Sequence, residues 1–174
     1  MQILAFLLAA IAQKLQQIVE LNKTRIDYLE KFQQMIAEYN ADFLNVQMFL
    51  NDLINFAQEL GAEDKRAIAK NITEEELAIF DLLTKPEVQL TKQEEQEVKQ
   101  VAKELLKTLK QEKLVLDWKK IQQTKASVEV AIKDVLDRLP QSYSAELYEQ
   151  KCQEVYQHIY ENYSGQGSIY DTGA

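Results

Sequence analysis

Apolar positions along the 174 residues recur three and four apart, the spacing that lays side chains along one face of an α-helix. Leu4, Leu8, Ile11, Leu15 and Ile18 keep that rhythm, and Leu29, Phe32, Ile36 and Tyr39 resume it. Asn22 and Arg25 fall in the same register and interrupt the stripe. The spacing therefore predicts a first amphipathic helix to about Asn22, a break near Asn22 to Thr24, and a second helix over 25–39, with Thr24 as its cap and Asp27 three residues on. After a short connection at 40–42, Phe43, Val46, Phe49, Leu50, Leu53, Ile54, Ala57 and Leu60 predict a third helix, which Gly61 is placed to stop in left-handed geometry. The mixed-charge stretch at 62–70 is expected to form one or two exposed helical turns.

The most sharply punctuated helix follows, in TEEELAIFDLLTKP at 73–86. Thr73 and Glu76 have the spacing of a capping box, Glu74 and Glu75 sit at the positive end of the helix dipole, and Pro86 stops the helix. Leu77, Ile79, Phe80, Leu82 and Leu83 form its apolar stripe. Thr91 and Glu94 repeat the box for a helix running to about Lys113, with Val98, Val101, Ala102, Leu105, Leu106 and Leu109 inward. Leu114 to Leu116 marks an end or kink. Trp118, Ile121, Val128, Ile132, Val135, Leu136 and Leu139 carry a further helix closed by Pro140, and a last one spans about Ala145 to Asn162. The expected core includes Phe80, Leu83, Leu105, Leu109, Val128 and Ile132.

The pattern predicts an all-α protein: one compact helical bundle over 25–163, a long amphipathic N-terminal arm at 1–24 and a flexible, disordered tail at 164–174. Composition agrees, since four glycines and two prolines are too few for a sheet with tight hairpins. The start, ILAFLLAAIA at 3–12, imitates a signal peptide, but no Lys or Arg precedes it and that run alone is too short to span a bilayer. No membrane role is expected; such a helix wants a partner, or is the cut edge of a larger protein.

Charge and chemistry narrow the function by exclusion. A net charge of -8 makes the whole chain a poor electrostatic trap for nucleic acid. The first 60 residues hold no glycine, and neither a GxxxxGK[ST] loop nor a GxGxxG after a strand occurs, which removes the nucleotide-binding motifs. One cysteine, Cys152, and one histidine, His158, are too few for a zinc site or an oriented Cys-His dyad, and they fit an intracellular, reducing setting. The carboxylate pairs Asp42 with Asp52 and Glu74 with Glu75 suit caps and surface better than acid-base work. For His158 the expectation is a surface ion pair with Glu154 or Glu161.

Two features carry a functional candidate. Lys99, Lys103, Lys107 and Lys110 line one side of a helix, and over 98–125 eight lysines stand against Glu104, Glu112 and Asp117, a local balance of +5. Such a ridge suits a phosphate backbone or an acidic partner, although charge runs at helical spacing are ordinarily a solvated face. Trp118, the only tryptophan, is either a partner contact or, as lone tryptophans at helix junctions usually are, core. Six of the eight tyrosines lie between 143 and 170, in an acidic segment where helix packing is expected over base stacking.

NITEEELAIFDLLTKPE at 71–87, VKQVAKELLKTLKQEKLVLDW at 98–118 and LYEQKCQEVYQHIYENY at 147–163 resemble consecutive stretches of the C-terminal helical region of the R subunit of type I restriction enzymes, and RIDYLEKFQQMIAEYN at 25–40 resembles the segment upstream. The resemblance implies a fragment of a larger cytoplasmic subunit that carries a nuclease domain and two RecA-like motor domains, where ATP and Mg would bind. None of that family's catalytic motifs falls on this chain, so the resemblance implies no catalytic, cofactor or metal residue here. It implies docking of the DNA translocase/endonuclease subunit onto the methyltransferase core, with the methyltransferase (M) subunit and the rest of the R subunit as partners. A helical brace touching DNA phosphates beside the motor, and a free-standing helical interaction protein associating through its first helix, are the alternatives.

Overall fold

The computed structural model describes residues 2–41, 45–86, 88–165 and 170; Asp42, Phe43 and the tail residues 166–169 and 171–174, which enter the expectations above, lie outside the described residues. The described residues form helices and turns with no strand: α1 (Gln2–Leu21), α2 (Ile26–Asn40), α3 (Val46–Asp64), α4 (Arg66–Ala69), α5 (Glu74–Thr84), α6 (Lys92–Thr108), α7 (Gln122–Leu136) and α8 (Ala145–Asn162). They divide into two compact units, Met1–Thr73 and Glu74–Ala174, where a single unit with a projecting arm was expected.

In the first unit α1, α2 and α3 pack against one another. The predicted stripe of α1 goes inward, since Leu4, Ile11, Leu15 and Ile18 share a core with Phe32 of α2 and Phe49, Leu53, Phe56 and Leu60 of α3. Phe32 stacks on Phe56 and Tyr39 on Phe49, with centroids 5.7 and 4.3 Å apart. α1 is thus built into a three-helix core. Of the described helices α1 alone is long and apolar enough to cross a membrane by length and composition, a test that a core helix also passes.

The interruption at Asn22 and Arg25 is a buried corner. Asn22 accepts from the Thr24 backbone N–H at 3.2 Å and from its hydroxyl at 2.8 Å, opening a 3₁₀ turn at Lys23–Arg25. Asn22, rather than Thr24, is therefore the capping side chain. Arg25, fully buried, donates from Nη1 to the Ile18 carbonyl at 3.1 Å and from Nε to Glu63 Oε1 at 2.9 Å. Arg66 binds the same Glu63 oxygen at 2.6 Å. These partners explain why α3 runs through Gly61 to Asp64 instead of stopping there. A glycine in a helix costs only about 1 kcal/mol relative to alanine, while an unpaired buried arginine costs several times that.

In the second unit α5 packs on α6 and α8, and α7 packs on the same two, closing a four-helix bundle. Every residue of α5 from Leu77 to Leu83 is buried, Asp81 included, so the predicted stripe is a helix covered all round. Phe80, Leu83, Leu105, Leu109, Val128 and Ile132 are all buried, none more than 4% exposed. The predicted capping box of α6 is present: Glu94 N–H donates to Thr91 Oγ1 and Thr91 N–H to Glu94 Oε1, each at 3.1 Å. Lys151 of α8, fully buried, donates to the carbonyl of Lys85 at the end of α5 at 2.6 Å.

Between α6 and α7 the chain kinks where Leu114 to Leu116 predicted it. Leu109–Lys113 forms a π turn, Asp117 turns left-handed at φ 58°, and Trp118–Lys120 makes a 3₁₀ turn before α7 starts at Gln122. Trp118 therefore precedes the helix it was expected to begin.

Candidate functional site

The lysine ridge is positioned by the burial of α6. Val98, Val101, Ala102, Leu105 and Leu106 face the bundle, which leaves Lys99 and Lys103 half-buried on its flank and Lys107 exposed. Lys110, in the π turn, is exposed but places Nζ 3.0 Å from both carboxylate oxygens of Glu75 on α5. The basic run does not continue as one strip. Lys119 folds over the rings of Trp118 and Tyr160, 5.9 and 4.9 Å from their centroids, and Lys120 pairs with Asp117 at 3.3 Å. The ridge that faces outward is thus Lys99, Lys103 and Lys107. The wider π turn moves the following lysines off that line.

Trp118 is buried completely and so presents no surface to a partner. Its Nε1–H donates to the carbonyl of Tyr163 at 3.0 Å, and the rings of Tyr156 and Tyr160 meet it edge-on at 6.4 and 5.9 Å. Tyr163 in turn donates its hydroxyl to Glu75 Oε1 at 2.7 Å, so Glu75 joins Lys110 to the end of α8.

The groups that could do chemistry are held as structure. Burial pushes the Cys152 thiol above its usual range, which disfavours the thiolate a nucleophile needs. The Tyr148 hydroxyl donates to Asp137 Oδ1 at 2.5 Å, with the Lys133 carbonyl 3.0 Å away. His158 is buried rather than at the surface; its Nδ1 lies 3.1 Å from the Asn162 side-chain amide and its ring meets Tyr163. Among the described residues no three His, Cys, Asp or Glu side chains converge as a metal ligand set. An open groove of about 530 Å³ lies between the π turn and α7, bordered by Glu112, Lys113, Ser127, Val130, Asp134 and Arg138, with charges of both signs on its rim.

Sequence comparison supplies what this geometry leaves open. The family model for the C-terminal part of type I restriction enzyme HindI endonuclease subunit-like proteins matches residues 3–164. The chain belongs to that family. No curated protein and no solved structure matches the chain. The family match begins inside α1 and ends just after α8, so the C-terminal domain that defines the family comprises both compact units, including the first helix. Its buried ionic corner at Arg25 and Glu63 went unforeseen because a charged side chain at an apolar register reads as a break in the stripe. The one signal was that Asn22 and Arg25 kept the register.

Proposed function

We propose that this domain is a non-catalytic attachment module, docking the ATP-dependent translocase/endonuclease subunit onto the methyltransferase core. Family membership supports the setting, and the exposed apolar side of α1 carries the docking role. Leu4, Ile11, Leu15 and Ile18 occupy the core, yet Ile3 and Phe6 stand 79% and 77% exposed on a helix with no charge before Lys14. Apolar side chains so exposed, on a face without charge, suit a protein partner better than water. In this reading the partners are the M subunit and the rest of the R subunit, the setting is the cytoplasm, and ATP and Mg belong to the motor and nuclease domains of the parent.

Capture of purified M subunits by this domain tests the proposal. Retention at low and moderate salt, weakened by Ile3→Asp with Phe6→Asp, is the expected result; no retention under any salt condition overturns it. The DNA-brace alternative keeps one observation in its favour, the outward Lys99, Lys103 and Lys107. It predicts a mobility shift of duplex DNA by the domain alone that falls with salt and is lost when these lysines and Lys110 become Gln.

A further inference from the structure

The residues after α8 make contacts that a mere exit from a helix does not need. Tyr163 accepts the Trp118 indole N–H on its carbonyl at 3.0 Å while its own hydroxyl reaches Glu75 of α5 at 2.7 Å. Two residues on, Gly165 turns at φ +87° directly over the α6–α7 linker. A side chain there would run into the carbonyl of Val115 and come within 3.2 Å of Trp118 Cδ1. Glycine at this position thus satisfies two demands, a left-handed backbone and a close approach of chain to chain.

Elsewhere the linker, Leu114 to Ile121, is held where it enters α7, the Thr124 hydroxyl lying 2.6 Å from the Trp118 carbonyl and 2.9 Å from that of Ile121. Val115, Leu116 and Ile121 are 47%, 61% and 52% exposed, and Trp118 is its one fully buried side chain. The Tyr163 carbonyl satisfies the indole donor, so lifting the segment leaves that donor without its protein acceptor and opens one side of the ring. What lies beneath is Trp118 with Tyr156, Tyr160 and Lys119, the kind of aromatic and cationic cluster that dominates protein interfaces once exposed.

We propose that Tyr163–Gly165 is a latch, a conformational device that closes over Trp118 of the α6–α7 linker and whose release uncovers this aromatic face. The latch acts on a segment whose neighbours, α6 and α7, are complete without it. Opening is therefore a local event within the second unit rather than its unfolding.

Because Trp118 is the only tryptophan, its emission reports the latch directly. In the 174-residue chain, Gly165→Val is expected to shift Trp118 emission to the red, raise its quenching by acrylamide and open the linker to trypsin after Lys119 and Lys120, with the helical circular dichroism unchanged. Truncation after Asn162 is expected to do the same more strongly. Parent-like emission, quenching and cleavage in both variants overturn the proposal, because the linker is then held without the latch. Loss of helical signal in Gly165→Val overturns it too, since the segment is then core.

Discussion

Arg25 Nε and Glu63 Oε1 meet at 2.9 Å in the interior of the first unit, 38 residues apart in sequence, with the arginine side chain wholly excluded from solvent and the carboxylate nearly so. The pair joins the corner after α1 to the last turn of α3. Its remaining valences are used: Arg25 also serves the Ile18 carbonyl, while Glu63 also receives Arg66 at 2.6 Å and the Tyr28 hydroxyl at 3.4 Å. Two charges removed from water recover their solvation cost only when the geometry is this complete.

Arg25→Ala is therefore expected to destabilise the first unit by about 3 kcal/mol, because it strands part of a buried carboxylate and uncaps α1. Arg25→Met combined with Glu63→Leu should recover most of that loss. Urea unfolding of the single and double variants distinguishes the two; a double variant no better than Arg25→Ala would show that the pair is not the source of the cost.

Phe80 lies on the helix that is covered on every side, at 4% exposure. Truncation to alanine removes a ring from a packed interior and should cost about 3–5 kcal/mol. Thermal or urea melts of Phe80→Ala check this, and a melt matching the parent would mean the surrounding helices close the space.

The capping box of α6 gives a smaller, local effect. Thr91→Ala removes the hydroxyl acceptor of the Glu94 N–H and should lower stability by about 1 kcal/mol, with Thr91→Ser close to the parent. Amide exchange at Glu94 is the direct measure.

Alkaline pH should loosen the second unit. Tyr143 donates to the Leu83 carbonyl at 2.8 Å, and burial, helped by the charge of Glu94, pushes its hydroxyl up from 10.0 to about 12. The folded chain holds that proton more tightly than the unfolded chain, so this contribution is fully present below pH 10.0 and is lost as pH rises through about 12. Burial followed by the Asp137 hydrogen bond raises Tyr148 as well, adding to the same slope. Tyr143→Phe should be less stable at neutral pH by about 1 kcal/mol and should flatten the loss above pH 10.0, as followed by melting temperature against pH.

Helix type and number are largely legible in the sequence, because a period of 3.6 residues in the apolar positions is a local property that survives in the linear chain. Thr91 with Glu94, the end of α5 at Thr84 ahead of Pro86, and the buried stripe of α6 all follow from neighbours within four residues. Helix geometry and local capping act over the same short range, so reading neighbours is enough.

What only the tertiary structure decided depends on residues far apart. Gly61 lies inside α3 because Glu63 finds Arg25, and no local rule anticipates a partner 38 positions away. Trp118 is interior because Tyr156, Tyr160 and Tyr163 close over it, and Lys110 leaves the outward ridge because Glu75 lies within 3.0 Å. The sequence by itself determined where the chain coils and which face of each helix is apolar. Only the folded arrangement decided which polar groups go inside, since a buried charge is stable only against a partner that folding brings to it.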